Sequence, residues 1–142
     1  KVIYSMHLDY VTKVAFDTYG RRMATCSGDR FVRVWDLTDS GEWTLVAQWQ
    51  AHRGAVTSLD WAHPEFGSLL ATCGSDHDVK IWEERTSNSA GSVSSRWTVK
   101  ATLTEARRAV SCLETAPRHG GPKLAVGSAD GCGRLDIVGS SD

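Results

Sequence analysis

The sequence has almost no net charge and no long apolar run. Its 16 basic and 17 acidic residues leave a formal net charge of −1, so no overall field attracts a phosphate backbone or an anionic membrane surface. No apolar run approaches the roughly 20 residues that span a bilayer. We therefore expect neither nucleic acid as a direct partner nor insertion into a membrane.

The sequence also lacks the cysteine spacing of a metal site. None of its four cysteines forms a Cys-x-x-Cys pair, and all lie in or beside predicted strands. Such cysteines are expected to be reduced, buried thiols and not zinc ligands. No other motif indicates a cofactor or metal, so we predict none. The cysteines are Cys26, Cys73, Cys112 and Cys132.

What the chain does contain is an internal repeat. MATCSGDRFVRVWD (residues 23–36) aligns with LATCGSDHDVKIWE (residues 70–83) at a spacing of 47 positions, and LAVGSADGCGRLDI (residues 124–137) is a weaker third copy. Strand-like segments rich in Val, Thr, Leu and Trp flank these copies, so each unit resembles four short strands. No segment has a convincing helical period of apolar residues. An all-β protein is predicted.

A repeat of roughly 45 residues with four strands, an opening His and a closing Trp-Asp or Trp-Glu is typical of WD-repeat β-propeller blades. We therefore predict a partial propeller of about three blades. Blade 1 is expected at residues 7–49 and blade 2 at residues 52–103, with a surface loop at residues 84–95 that is Ser-rich and poor in large apolar groups. A degenerate, incomplete blade 3 is expected at residues 109–138.

Polar residues recur at fixed positions of the repeat. In WD repeats generally, the opening His, a turn Asp and the Trp of the third strand form one hydrogen-bonded network, completed by a Ser or Thr of the second strand. The matching residues are His7, Asp29, Trp35, His52, Asp76 and Trp82, with Asp130 in the third unit. Three residues before each Asp stand Cys26, Cys73 and Gly127, which predicts networks without their usual hydroxyl. Neither a nucleophile nor an oxyanion site accompanies the His and Asp residues, so we predict that the chain is not an enzyme.

Four segments resemble the Seh-type nucleoporins, relatives of the coat protein Sec-thirteen: FDTYGRRMATCSGD (residues 16–29), DWAHPEFGSLLATCGSD (residues 60–76), IWEE (residues 81–84) and APRHGGPKLAVGSADG (residues 116–131). The most specific part is the family segment His63, Pro64, Glu65, Phe66 and Gly67. Glu65 and the long insertion after Trp82 favour the Seh type. Members of this family continue through three more blades, so we expect an N-terminal fragment.

The resemblance implies an open six-bladed propeller whose gap is filled by a blade from a helical-scaffold partner. It implies a non-catalytic scaffold of the Y-shaped coat of the nuclear pore complex, at the nuclear envelope, and also of the GATOR nutrient-signalling assembly at the lysosomal surface. A Sec-thirteen-like vesicle-coat subunit and a WD-repeat substrate adaptor remain alternatives. Three blades cannot close a ring, so the isolated chain is expected to aggregate, to pair with another copy or to need a partner at its open edges.

Overall fold

The computed structural model describes residues 2–103, 110–115, 123–128 and 133–137. Within these ranges the chain forms three antiparallel sheets that follow one another along the sequence. The described residues include one short 3-10 helix, and none of their helices is long and apolar enough to cross a membrane. This architecture confirms the predicted all-β fold and is that of a partial propeller.

The first sheet, blade 1, is a four-stranded meander in which each strand pairs with the next. Its strands are rich in Val, Thr and Trp, whose branched or aromatic side chains fit a pleated surface. Tight turns separate them, and Gly20 supplies the positive φ (67°) that the first turn requires. The strands are β1 (Val11–Phe16), β2 (Arg22–Ser27), β3 (Phe31–Leu37) and β4 (Trp43–Gln50).

The second sheet, blade 2, repeats this meander, and the third contains three described strands. Blade 2 consists of β5 (Val56–Trp61), β6 (Leu69–Gly74), β7 (Val79–Ser89) and β8 (Ser92–Leu103). The third sheet consists of β9 (Val110–Thr115), β10 (Lys123–Ser128) and β11 (Gly133–Ile137).

The prediction of a surface loop at residues 84–95 is wrong. β7 and β8 remain paired as far as Ser89 and Ser92, and only Ala90 and Gly91 connect them. Both connecting residues have positive φ (52° and 79°), as a two-residue hairpin turn that matches the twist of its strands requires. The scarcity of apolar side chains suggested a loop, but paired backbone groups extend the strands here.

A single buried cluster joins blade 1 to blade 2. Ala24, Cys26, Val32 and Val34 of blade 1 are each 0% exposed, and they belong to the same cluster as Val56, Leu59, Trp61 and Leu70 of blade 2. The rings of Trp49 and Trp97 stack across the boundary, with centroids 5.5 Å apart. Cys26 and Cys73 are buried and are not in a disulfide, as the sequence predicts for these two cysteines.

Polar contacts fix how the two sheets meet. The hydroxyl of Thr12 donates to the carbonyl oxygen of Val56 at 2.6 Å, and Nε1 of Trp61 donates to the carbonyl oxygen of Ala15 at 3.0 Å. At the periphery, both terminal nitrogens of Arg22 donate to the carboxylate of Glu84, at 2.8 and 2.9 Å. Such a bidentate, charge-assisted bond is strongly directional, so it favours one orientation of the two blades.

Candidate interaction site

In blade 2 the predicted His, Asp and Trp residues come together in one buried chain of hydrogen bonds. Nδ1 of His52 lies 3.0 and 3.1 Å from the two carboxylate oxygens of Asp76. Nε2 of His52 lies 2.8 Å from Oγ1 of Thr72, and the same oxygen accepts from Nε1 of Trp82 at 2.9 Å. This network links the start of the blade to its second and third strands and to the turn between them.

Blade 1 contains the same network. Nδ1 of His7 lies 2.9 Å from Oδ2 of Asp29, and Nε2 lies 2.9 Å from Oγ1 of Thr25. Nε1 of Trp35 donates to that hydroxyl oxygen at 3.3 Å. The side chains of His7 and Asp29 are 0% and 6% exposed, so the network is as well enclosed here as in blade 2.

The prediction that these networks lack a hydroxyl is therefore wrong. Thr25 and Thr72 supply it, each one position before the predicted place of the hydroxyl, which Cys26 and Cys73 occupy. The reason is the two-residue period of a strand. Thr25 pairs with Arg33 across the ladder and so shares a face with Trp35, whereas Cys26 lies on the opposite face, in the cluster with blade 2.

Both histidines are neutral near pH 7. Burial lowers the pKa of His7 and of His52 below 6.5, and it outweighs the nearby carboxylates, which act in the opposite direction. A neutral imidazole with its proton on Nδ1 donates to the Asp and accepts from the Thr hydroxyl at Nε2. The Thr oxygen then accepts from the Trp, so each group has the partner that it needs.

The two aspartates also hold the turn between the second and third strands. Backbone N–H groups of Leu8 and Phe31 donate to Asp29 at 2.9 and 3.0 Å, and Asp76 accepts from two backbone N–H groups in the same way. Burial opposes the ionisation of Asp29, but these amides and His7 outweigh it and lower its pKa. Asp130 of the third unit lies outside the described residues.

The order carboxylate, imidazole, hydroxyl is also that of a catalytic triad. Here the hydroxyl of Thr72 is 0% exposed and already occupied on both sides, so it does not present a nucleophile to a substrate. The described residues also contain no group of three His, Cys, Asp or Glu side chains arranged to hold a metal ion. The chemistry of the network is that of a structural element that stabilises the blade.

The family segment at residues 63–67 forms a capped turn between β5 and β6. Pro64–Phe66 is a 3-10 helix, and Nδ1 of His63 accepts from the backbone N–H of Glu65 at 3.1 Å. Gly67 follows with a φ of 93°, a conformation that favours glycine. The His, Pro and Gly of the segment therefore each have a local structural role.

One apolar face of blade 1 is not covered by any described residue of a neighbouring sheet. This open face bounds a groove of about 310 Å³, and its β1 residues Val11, Val14 and Phe16 are 39%, 44% and 55% exposed. Besides Phe16, the residues of the open face are Ile3, Ser5, Val11, Val14, Met23, Thr25 and Trp35, which line the groove. An apolar patch of this kind is typical of a surface that binds another protein.

The repeated sheets and their buried networks define the class of protein. The family model for the WD domain, G-beta repeat, matches residues 1–36 and 43–83, more than half of the chain. The chain belongs to the WD-repeat family.

Among curated proteins the chain is similar to nucleoporin SEH1. It is 45% identical to that of Bos taurus over 131 residues, 91% of this chain and 36% of the relative, and 44% identical to that of Homo sapiens over the same shares. It is 49% identical to nucleoporin seh1 of Drosophila melanogaster over 132 residues, 91% of this chain and 37% of the relative. These matches confirm the predicted resemblance to the Seh-type nucleoporins. The chain spans little more than a third of the length of these relatives.

Proposed function

We propose that this chain is a structural scaffold subunit of the nuclear-pore coat that binds other proteins through the open face of blade 1. A helical-scaffold partner donates a blade that covers this face, as blade 1 covers blade 2. One observation carries the proposal: apolar residues at equivalent positions of the first strands, β1 and β5, differ sharply in exposure.

The first strands of the two blades, β1 and β5, carry apolar residues at equivalent positions. Val56, Leu59 and Trp61 of β5 are 0%, 0% and 8% exposed because blade 1 packs against them. Their equivalents in blade 1, 45 positions earlier, are the exposed apolar residues of β1. A face with the same apolar pattern as a covered face supports a cover of the same kind, which is another sheet.

The surface that blade 1 presents to blade 2 shows what such a cover looks like. It includes small and β-branched side chains, among them Ala24 and Val34, with the ring of Trp49 packed against them. It also includes the hydroxyl of Thr12, which donates a hydrogen bond to the carbonyl oxygen of Val56. Val11 occupies the place of Val56 in blade 1, so we expect the donated blade to carry a Ser or Thr that reaches the Val11 carbonyl.

The nucleoporin relatives support a location at the nuclear envelope, within the nuclear pore complex, and a role in nucleocytoplasmic transport. The Seh resemblance extends the proposal to the GATOR assembly at the lysosomal surface, since one open edge can accept different helical scaffolds. In both settings the contribution of this chain is binding and not catalysis.

A pair of matched variants tests the proposal. Val14→Asp places a charge in the open face, whereas Val46→Asp places one on β4, on a residue that does not line the groove; the two valines are 44% and 42% exposed. Each tagged chain is expressed in its native cell type, and the bound proteins are quantified by mass spectrometry. We expect nuclear-pore coat subunits with the unchanged chain and with Val46→Asp, and a loss of more than about tenfold with Val14→Asp, because a covering blade would bury the charge without a partner.

The other outcomes contradict the proposal in distinct ways. Recovery of vesicle-coat subunits would favour the Sec-thirteen-like alternative. Recovery of chaperones alone would show that the chain does not dock on a coat. Coat subunits bound as well by Val14→Asp as by the unchanged chain would show that binding does not use the open face, and equal losses with both variants would contradict a specific role of that face.

A further inference from the structure

The β7–β8 hairpin extends beyond its neighbouring strand as a two-stranded ribbon. β6 pairs with β7 only as far as Glu83, whereas β7 and β8 remain paired from Glu84 and Trp97 to Ser89 and Ser92. We call residues 85–96 the ribbon. Every residue of the ribbon is exposed.

The strand period gives the ribbon two chemically different faces. One face, the basic face, carries Arg85 opposite Arg96, Ser87 opposite Ser94 and, at the tip, Ser89 opposite Ser92. The other face carries Thr86 opposite Ser95 and Asn88 opposite Val93. The basic face therefore has two guanidinium groups and four hydroxyls, and the other face has no charged group within the ribbon.

The positive charge of the basic face is not balanced by the one carboxylate beside it. Like charges at directly opposite positions destabilise the pairing of two strands, so the guanidinium groups of Arg85 and Arg96 repel each other. Nε of Arg85 lies 3.5 Å from Glu83, but that carboxylate also lies 3.4 Å from Nζ of Lys100. Glu83 stands on the blade side of the two arginines. On the tip side, Oγ of Ser87 lies 2.9 Å from Oγ of Ser94.

We propose that Ser87 is a phosphorylation site whose phosphate is held by Arg85 and Arg96. In the reaction, Oγ of Ser87 attacks the γ-phosphorus of ATP in the site of a serine kinase that recognises arginine two residues before the acceptor. The bond from the γ-phosphorus to the bridging oxygen breaks, ADP leaves, and the hydroxyl proton passes to the base of the kinase. The chain emerges with a phosphate monoester on the basic face.

The geometry suits this product. Ser87 lies two residues from Arg85 on one strand and diagonal to Arg96 on the other, and such neighbours lie about 7 to 8 Å apart, within reach of long side chains. A phosphoserine carries a charge of about −1.5 to −2 and three acceptor oxygens. It can accept from both guanidinium groups and from the hydroxyl of Ser94. The phosphate thus bridges two arginines that repel each other in the unmodified chain, and it links the two strands of the ribbon. This proposal is independent of the proposed scaffold function.

The experiment has two arms on the full 142-residue chain. In the first, the chain is incubated with Mg²⁺, ATP and an arginine-directed serine kinase, and the phosphate is mapped by mass spectrometry, with Ser87→Ala as the control. In the second, phosphoserine is encoded at position 87 or, as the matched control on the other face, at position 95. Amide hydrogen exchange is then measured across the ribbon.

We expect the kinase to modify Ser87, and phosphoserine at position 87 to slow exchange in the ribbon by about three- to tenfold. Arg85→Gln or Arg96→Gln should remove this protection, and phosphoserine at position 95 should give none. Failure to modify Ser87, or equal protection from both positions, would overturn the proposal. So would equal protection of the unmodified chain by inorganic phosphate, because the face would then bind a free anion.

Discussion

Replacement of Thr72 by valine tests whether the buried networks hold the blades together. Valine has nearly the same shape as threonine and favours strands as well, so the change removes little besides the hydroxyl. That hydroxyl is 0% exposed and contacts both Nε2 of His52 and Nε1 of Trp82. Thr72→Val therefore leaves two buried polar groups without a partner.

The expected loss follows from these two groups. A buried polar group left unpaired costs about 1 to 3 kcal/mol, so Thr72→Val, which leaves two such groups, should lower the free energy of unfolding by about 2 to 6 kcal/mol. Thr72→Ser keeps the hydroxyl and loses one methyl group, which costs about 1 kcal/mol. Only the valine variant should show the larger loss.

Urea denaturation at pH 7, followed by tryptophan fluorescence, measures the difference. Trp82 belongs to the network itself, so its emission reports the state of the region that is changed. If the valine variant lost no more stability than the serine variant, the hydroxyl would not be part of a stabilising network. The proposed structural role of the network would then be refuted.

Two further predictions concern charge. Burial lowers the pKa values of His7 and His52, so below about pH 6.5 the unfolded chain binds protons more readily than the folded chain. The free energy of unfolding should therefore be constant above that pH and fall in acid, by up to about 2.7 kcal/mol per pH unit for the two histidines together. Urea denaturation from pH 5 to 8 checks this, and a flat profile would contradict it. Glu84→Gln should cost about 1 to 3 kcal/mol by removing the charge that Arg22 pairs with; a double-mutant cycle with Arg22→Gln that shows no coupling would contradict a bond between the blades.

The fold could be predicted because the chain repeats a unit of four strands. Such a repeat gives the number and order of the strands without any knowledge of tertiary contacts. The network residues His52, Asp76 and Trp82 were also predictable, since each has an equivalent in the first unit. The hydroxyl was misplaced by one residue, and a one-residue shift in a strand moves a side chain to the other face. The signal was present: Thr72 lies on the same face of the ladder as Trp82, and Thr25 occurs at the same place in the first unit.

The ribbon was not predictable from composition. Residues 85–96 have almost no large apolar side chains, and sequence patterns recognise a strand chiefly by the side chains that it buries. Hydrogen bonds between backbones do not depend on the side chains, so an exposed polar hairpin resembles a loop in sequence. The Ala90–Gly91 turn was the remaining signal, but it is weaker than an Asn-Gly or Asp-Gly turn.

The network of blade 1 explains how an uncovered blade can present an ordered surface. Thr25 and Trp35 both line the groove of the open face, and both are fixed by the hydrogen bonds that end at His7. The apolar groups beside them are exposed, yet the polar groups behind them are as buried as in blade 2. A blade that covers the open face therefore meets side chains that already hold their positions. Little further ordering is needed on this side of the contact, which favours tight binding.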